Sequence, residues 1–159
     1  MTLTGGLQQP ADPFNLNRFV EAQADIYPDV LAELRGGRKR SHWMWFIFPQ
    51  LAGLGNSTYS KFYAIRSLEE ARQYLDHPLL GKRLLECTET VLQIHGRRAS
   101  EIFAPPDDLK LRSCMTLFNE VAGSGSAFAQ LLDQYFQGQG DPKTLALLDS
   151  GKTKSTHPR

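Results

Sequence analysis

Apolar residues recur along this chain at steps of three and four, and nowhere do they alternate with polar ones for long. Leu80, Leu84, Cys87, Val91 and Ile94 form the clearest series, with Lys82, Arg83, Glu86, Glu89 and Gln93 on the opposite side. Residues so spaced share one face of an α-helix but fall on both faces of a strand, so the pattern argues for helices. The stripe returns in Leu111, Cys114, Met115, Phe118 and Ala122, and again in Phe128, Leu131, Leu132, Tyr135 and Phe136.

Local signals punctuate these stripes. Asp12-Pro13 and Asp141-Pro142 each join an N-cap residue to a proline at the first helical position. Ser57 is placed to cap a helix through Ile65, and Ser67 with Glu70 has capping-box spacing. Gly36-Gly37, Gly123 to Ser126 and Gly138 stop helices. His42 to Phe48 reads as a short helix ended by Pro49, although so short an apolar run also suits a buried strand. The prediction is an all-α fold: a single compact multihelical domain over residues 12–149, about seven or eight helices, with flexible termini at 1–11 and 150–159.

Composition narrows the function classes. The chain has 159 residues, 41% hydrophobic and 22% charged, enough to build one core. A net charge of +1 gives no global field for DNA or an acidic membrane, so any anion site must come from local clustering. No apolar run is long enough to span a bilayer, and the N-terminus lacks the pattern of a signal peptide. Cys87 and Cys114 both fall on apolar stripes and read as core thiols, which makes the reducing cytoplasm the expected location. The histidines show no metal-ligand spacing with Cys, Asp or Glu, so no metal site is expected.

The stretch from Ser41 to Ile65 concentrates the chemistry. It holds Trp43, Trp45, Phe46, Phe48, Tyr59, Phe62 and Tyr63, with the turn Gly53-Leu54-Gly55 between them and Arg38-Lys39-Arg40 just before. Aromatic rings, a glycine turn and positive charge suit a pocket for a flat anionic ligand, and equally a helical core with a tight turn. The turn leads into a helix start, where free amides attract anions. It is neither a Walker loop, a dinucleotide fingerprint nor a nucleophile elbow, and no motif requires a cofactor. Arg35, Arg38, Lys39 and Arg40 read as a solvated surface, which leaves nucleic acid a minor hypothesis. Farther on, Asp108 and Arg112 stand four apart, the spacing of a surface ion pair, and Arg112, Thr116, Asn119 and Glu120 share a helix face.

The run from Arg38 to Leu51 resembles the signature of a bacterial family known as domain of unknown function 1810. Tyr63-Ala64-Ile65, His77-Pro78-Leu79, Lys110 to Phe118, Gly140-Asp141 and Thr144-Leu145 continue the likeness, which covers roughly Asp12 to Leu148. It implies a compact multihelical fold and brings no accepted catalytic residues. Some members carry the label calpastatin, a calpain inhibitor, but calpastatin is repetitive, disordered and rich in Lys and Pro, unlike this aromatic, periodic chain. Lys110, Arg112, Met115 and Phe118 resemble, more loosely, a helix of the NADAR proteins. Those act on N-glycosidic bonds of ADP-ribose-type or riboflavin-pathway compounds.

Three functions follow as expectations. The first is binding of a small anionic aromatic, nucleotide-like ligand by His42, Trp43, Trp45, Gln50, Gly53, Gly55, Ser57, Lys110 and Arg112. The second is hydrolysis of an N-glycosidic bond, with Glu120, Asp108 or His42 as acid or base. The third is an interaction module whose exposed aromatics dock a protein partner of unknown identity. The first requires Trp43, Arg112 and the Gly53–Ser57 turn to border one cavity.

Overall fold

The structure is a computed structural model that describes residues 11–156. The expected flexible start over 1–11 therefore lies, apart from Ala11, outside the described residues, as does His157. Ten helices follow among the described residues: α1 (Asn17–Gln23), α2 (Tyr27–Arg35), α3 (Met44–Ile47), α4 (Thr58–Phe62), α5 (Leu68–Asp76), α6 (Leu80–Leu92), α7 (Ala99–Ile102), α8 (Asp107–Ala122), α9 (Ala127–Phe136) and α10 (Pro142–Thr156). The fold is all-α. The count exceeds seven or eight; α7, a single turn, carries no stripe that spacing reveals. The tail expected from residue 150 instead continues α10 to Thr156. No proline interrupts it, and one interior glycine costs a helix only about 1 kcal/mol.

The caps explain the boundaries. Ser57, Ser67 and Ser126 each accept a hydrogen bond from the amide three residues on. Asp141 accepts from the Thr144 amide and hydroxyl. Asp12 caps later than expected: its carboxylate takes the amides of Leu16 and Asn17, because left-handed Asn15 delays α1. At the start of α6, His77 Nδ1 accepts from the Leu79 and Leu80 amides. Gly81 then lets α6 lie close to α5, since a β-carbon there would stand 1.9 Å from the Leu75 carbonyl oxygen.

The centre of the molecule is α8, which packs on α5, α7, α9 and α10. Leu111 and every residue from Ser113 to Phe118 are buried, so this helix is covered almost all round. Around it stand α6 against α2, α5 and α9, and α1 against α3. One continuous core results, with Phe19, Tyr74, Phe103, Phe118 and Phe128 among its largest members. Cys87 and Cys114 lie in it as free thiols, and burial pushes Cys87 up to about 12.

A charge lies within that core. Arg18 is 7% exposed and pairs with Glu70 at 2.9 Å. Its Nε donates to the Phe62 carbonyl, Nη1 to those of Phe14 and Asn15, and Nη2 also to that of Ala64. The second Glu70 oxygen accepts the Arg66 amide at 2.9 Å, one residue before the expected capping-box partner. Removing one member of a buried pair strands the other charge and costs about 3–5 kcal/mol. Arg18→Met is thus expected to lower urea-unfolding stability by about that amount, and Glu70→Gln by less, since an amide still accepts from Arg18. Equal stability of Arg18→Met and the native chain would show that the pair contributes nothing.

Candidate functional site

Segment 50–66 leaves the core and returns at one point. The Ile65 amide donates to the Gln50 carbonyl at 2.8 Å, and the Ala52 amide to the Ile65 carbonyl at 2.7 Å. These bonds make a neck at the isolated Leu51–Ile65 bridge, and the loop beyond it carries the Gly53-Leu54-Gly55 turn and α4. Gly53 has φ +100, and a β-carbon on Gly55 would stand 2.7 Å from Ser60. The glycines thus allow α4 to fold back on the turn. Ser57 lines neither of the two clefts beside α3: its hydroxyl occupies the Ser60 amide, one of the free donors at that helix start.

Two clefts flank α3, and Trp45 lines both. The first, about 280 Å³, lies inside the loop and is bordered by Trp45, Gln50, Gly53, Gly55 and Tyr63, with Lys61 and Arg66 also on its wall. No carboxylate lines it, and neither cation has an ion-pair partner among the described residues. The second, about 370 Å³, is bordered by Lys39, Arg40, His42, Trp45, Asp107 and Lys110. There Asp107 bridges two lysines, with Lys39 Nζ at 2.8 Å and Lys110 Nζ at 3.3 Å. Trp45 stacks on Tyr59 (centroids 5.1 Å apart, planes at 25°), and the Lys110 ammonium sits 5.1 Å from its ring centre.

The cavity expected to join Trp43, Arg112 and the Gly53–Ser57 turn is not formed: of the three, only the glycines of the turn line a cleft. Trp45, Gln50, Gly53 and Gly55 meet in the first cleft, and His42 and Lys110 in the second. Trp43 does not join them. It is 2% exposed, packed near Phe48 and Phe103, with its indole N–H donated to Glu33 at 2.9 Å. Residues two apart point to opposite sides of a helical turn, so Trp43 faces inward where Trp45 faces the clefts. Arg112 also stands apart, donating to the Gln139 carbonyl at 3.0 Å with Phe136 beneath it. Asp108 accepts from the Leu109 amide and makes no ion pair with Arg112, while Glu120 borders a separate shallow cleft against α10. Spacing gives no sign of Lys61, Arg66 and Asp107, because each becomes a neighbour of Trp45 only through the loop or the start of α8.

Glu33 holds the approach to α3. Its carboxylate accepts the Arg40 and Ser41 amides, the Ser41 hydroxyl and the Trp43 indole. Burial opposes its ionisation, but these bonds outweigh that and bring its pKa down to about 2. Among the described residues no group of three or more His, Cys, Asp or Glu is placed to hold a metal ion, and no helix is long and apolar enough to cross a membrane.

Fold and clefts together define a helical domain with two hollows around one indole. The family model described as Protein of unknown function (DUF1810) matches residues 13–148, and the chain belongs to that family. It is similar to the conserved hypothetical protein Rv1873 from Mycobacterium tuberculosis, known from a crystal structure, at 57% identity and a TM-score of 0.85, over 87% of this chain and 99% of that one. No curated protein matches the chain.

A carboxylate with a lowered pKa stabilises the fold above its unfolded value of 4.5, and that contribution is lost as pH falls toward about 2. Near-UV circular dichroism of a Trp45→Phe variant, which leaves Trp43 as the reporter, should hold steady through pH 4.5 and change as pH nears about 2, where Glu33 takes up its proton in the folded chain. Adding Glu33→Gln should remove that step and cost about 1–3 kcal/mol. An unchanged profile would mean that Glu33 does not order this segment.

Proposed function

We propose that the cleft inside the 50–66 loop binds a small, anionic, nucleotide-like ligand. The observation that carries this reading is the lining itself: two cations, Lys61 and Arg66, without ion-pair partners among the described residues, on a wall that also presents Trp45 and Tyr63 and holds no carboxylate among those residues. A guanidinium offers two parallel donors to a phosphate or carboxylate, and the rings offer flat apolar surface to a base or flavin. Gln50 adds a group able both to donate and to accept at the cleft edge. Lys110 above the indole and Lys39 beyond it extend the positive field to the other side of Trp45. Binding is favoured over glycosidic hydrolysis because neither Asp108 nor Glu120 borders this cleft. The two buried free thiols suit work in the reducing cytoplasm.

A thermal-shift panel of nucleotides, dinucleotides and flavins tests the proposal. At least one member should raise the melting temperature and quench tryptophan fluorescence, and the quench should vanish in Trp45→Phe. Arg66→Ala and Lys61→Ala should each weaken that ligand about tenfold or more, as expected for loss of one charge-assisted hydrogen bond. If no compound in the panel shifts the melting temperature, the proposal is wrong.

A further inference from the structure

The basic run at the end of α2 is longer in space than in sequence. Arg35, Arg38 and Arg40 are exposed, and so are Arg97 and Arg98 from the distant connection between α6 and α7. The fold brings the two loops together. The Lys39 amide donates to the Ile102 carbonyl at 2.9 Å, and the Arg97 side chain lies over Gly37, where a β-carbon would stand 3.4 Å from Nε. Arg35 opens a shallow groove of about 340 Å³ together with Gly36, Gly37, Thr90, Gln93 and Ile94, and no carboxylate lines it.

Three carboxylates near this face are already engaged. Glu33 holds the backbone of residues 40 and 41 and the Trp43 indole, and Asp107 holds Lys39 and Lys110. Glu101 accepts the Arg98 amide and stands 3.8 Å from its guanidinium, which remains 82% exposed. Arg35, Arg38, Arg40 and Arg97 have no ion-pair partner among the described residues. Every exposed cation of the strip is an arginine, the side chain whose planar fork matches a phosphate. The one lysine, Lys39, has its side chain only 8% exposed, in the pair with Asp107.

We propose that this arginine strip is a surface for the phosphate backbone of nucleic acid, separate from the cleft inside the 50–66 loop. A strip of converging guanidinium groups gives a polyanion several contacts at once, a local clustering that a net charge of +1 over the whole chain conceals. A membrane surface fits less well. The large exposed apolar side chains, Tyr59, Phe62, Leu85, Leu109 and Leu145, lie neither in these two loops nor on the groove wall, so nothing there would enter a lipid layer.

Fluorescence anisotropy of a labelled mixed-sequence single-stranded RNA, titrated with the full chain over a range of salt, tests this. Binding should weaken with salt at a log–log slope of about −3, as for four phosphates on a single strand. Arg35→Ala/Arg38→Ala/Arg97→Ala, at exposed and unpaired positions, should keep the native melting temperature, weaken binding at least tenfold and bring the slope to about −1. Lys82→Ala/Lys143→Ala, which removes exposed charge elsewhere, should leave affinity nearly unchanged. The proposal is overturned by no anisotropy change at low salt, by equal losses in the arginine and lysine variants, or by vesicles rich in anionic lipid binding the chain more tightly than RNA does.

Discussion

The Arg18–Glu70 pair is the constraint on which the rest of the structure depends. A buried ion pair is costly to desolvate, and it persists here because every donor direction of the guanidinium is used. Its partners are carbonyls of the chain entering α1, carbonyls at the end of α4, and the side chain that begins α5. One residue therefore fixes where three segments meet. Glu70 completes the junction by holding the Arg66 amide, and this places the return limb of the 50–66 loop. The first cleft thus takes its shape from a charge that does not itself line it.

The two tryptophans divide their roles accordingly. Trp43 is a structural side chain whose polar edge is answered by Glu33, and Glu33 also orders the basic segment before α3. Trp45 is half-buried between two hollows, one inside the loop and one beside the start of α8. A single turn of helix is long enough to send one indole inward and the other outward. The contrast between them separates packing from the candidate site more sharply than aromatic content alone.

Much of the architecture was legible in the sequence because it is local. The stripes on α6, α8 and α9 repeat at helical spacing, and Ser57, Ser67 and Asp141 announce helix starts within four residues. The site was legible only in part. Trp45, Gln50, Gly53 and Gly55 lie close in sequence and meet in one cleft. Arg112 is expected there only if its helix face meets the aromatic segment, yet that face turns it toward the α9–α10 connection. Arg18 gave no signal at all, since neither spacing nor composition tells a buried arginine from a solvated one. The same is true of Arg97 and Arg98, which join Arg38 only through tertiary contact between loops.

The neck between Gln50 and Ile65 has a mechanical meaning. Both limbs of the loop are rooted at the same place, and Arg18 ties the far end of α4 to the core through the Phe62 carbonyl. The span between those two anchorages is accordingly where an inserted or deleted residue would reshape the hollow without disturbing the helices behind it.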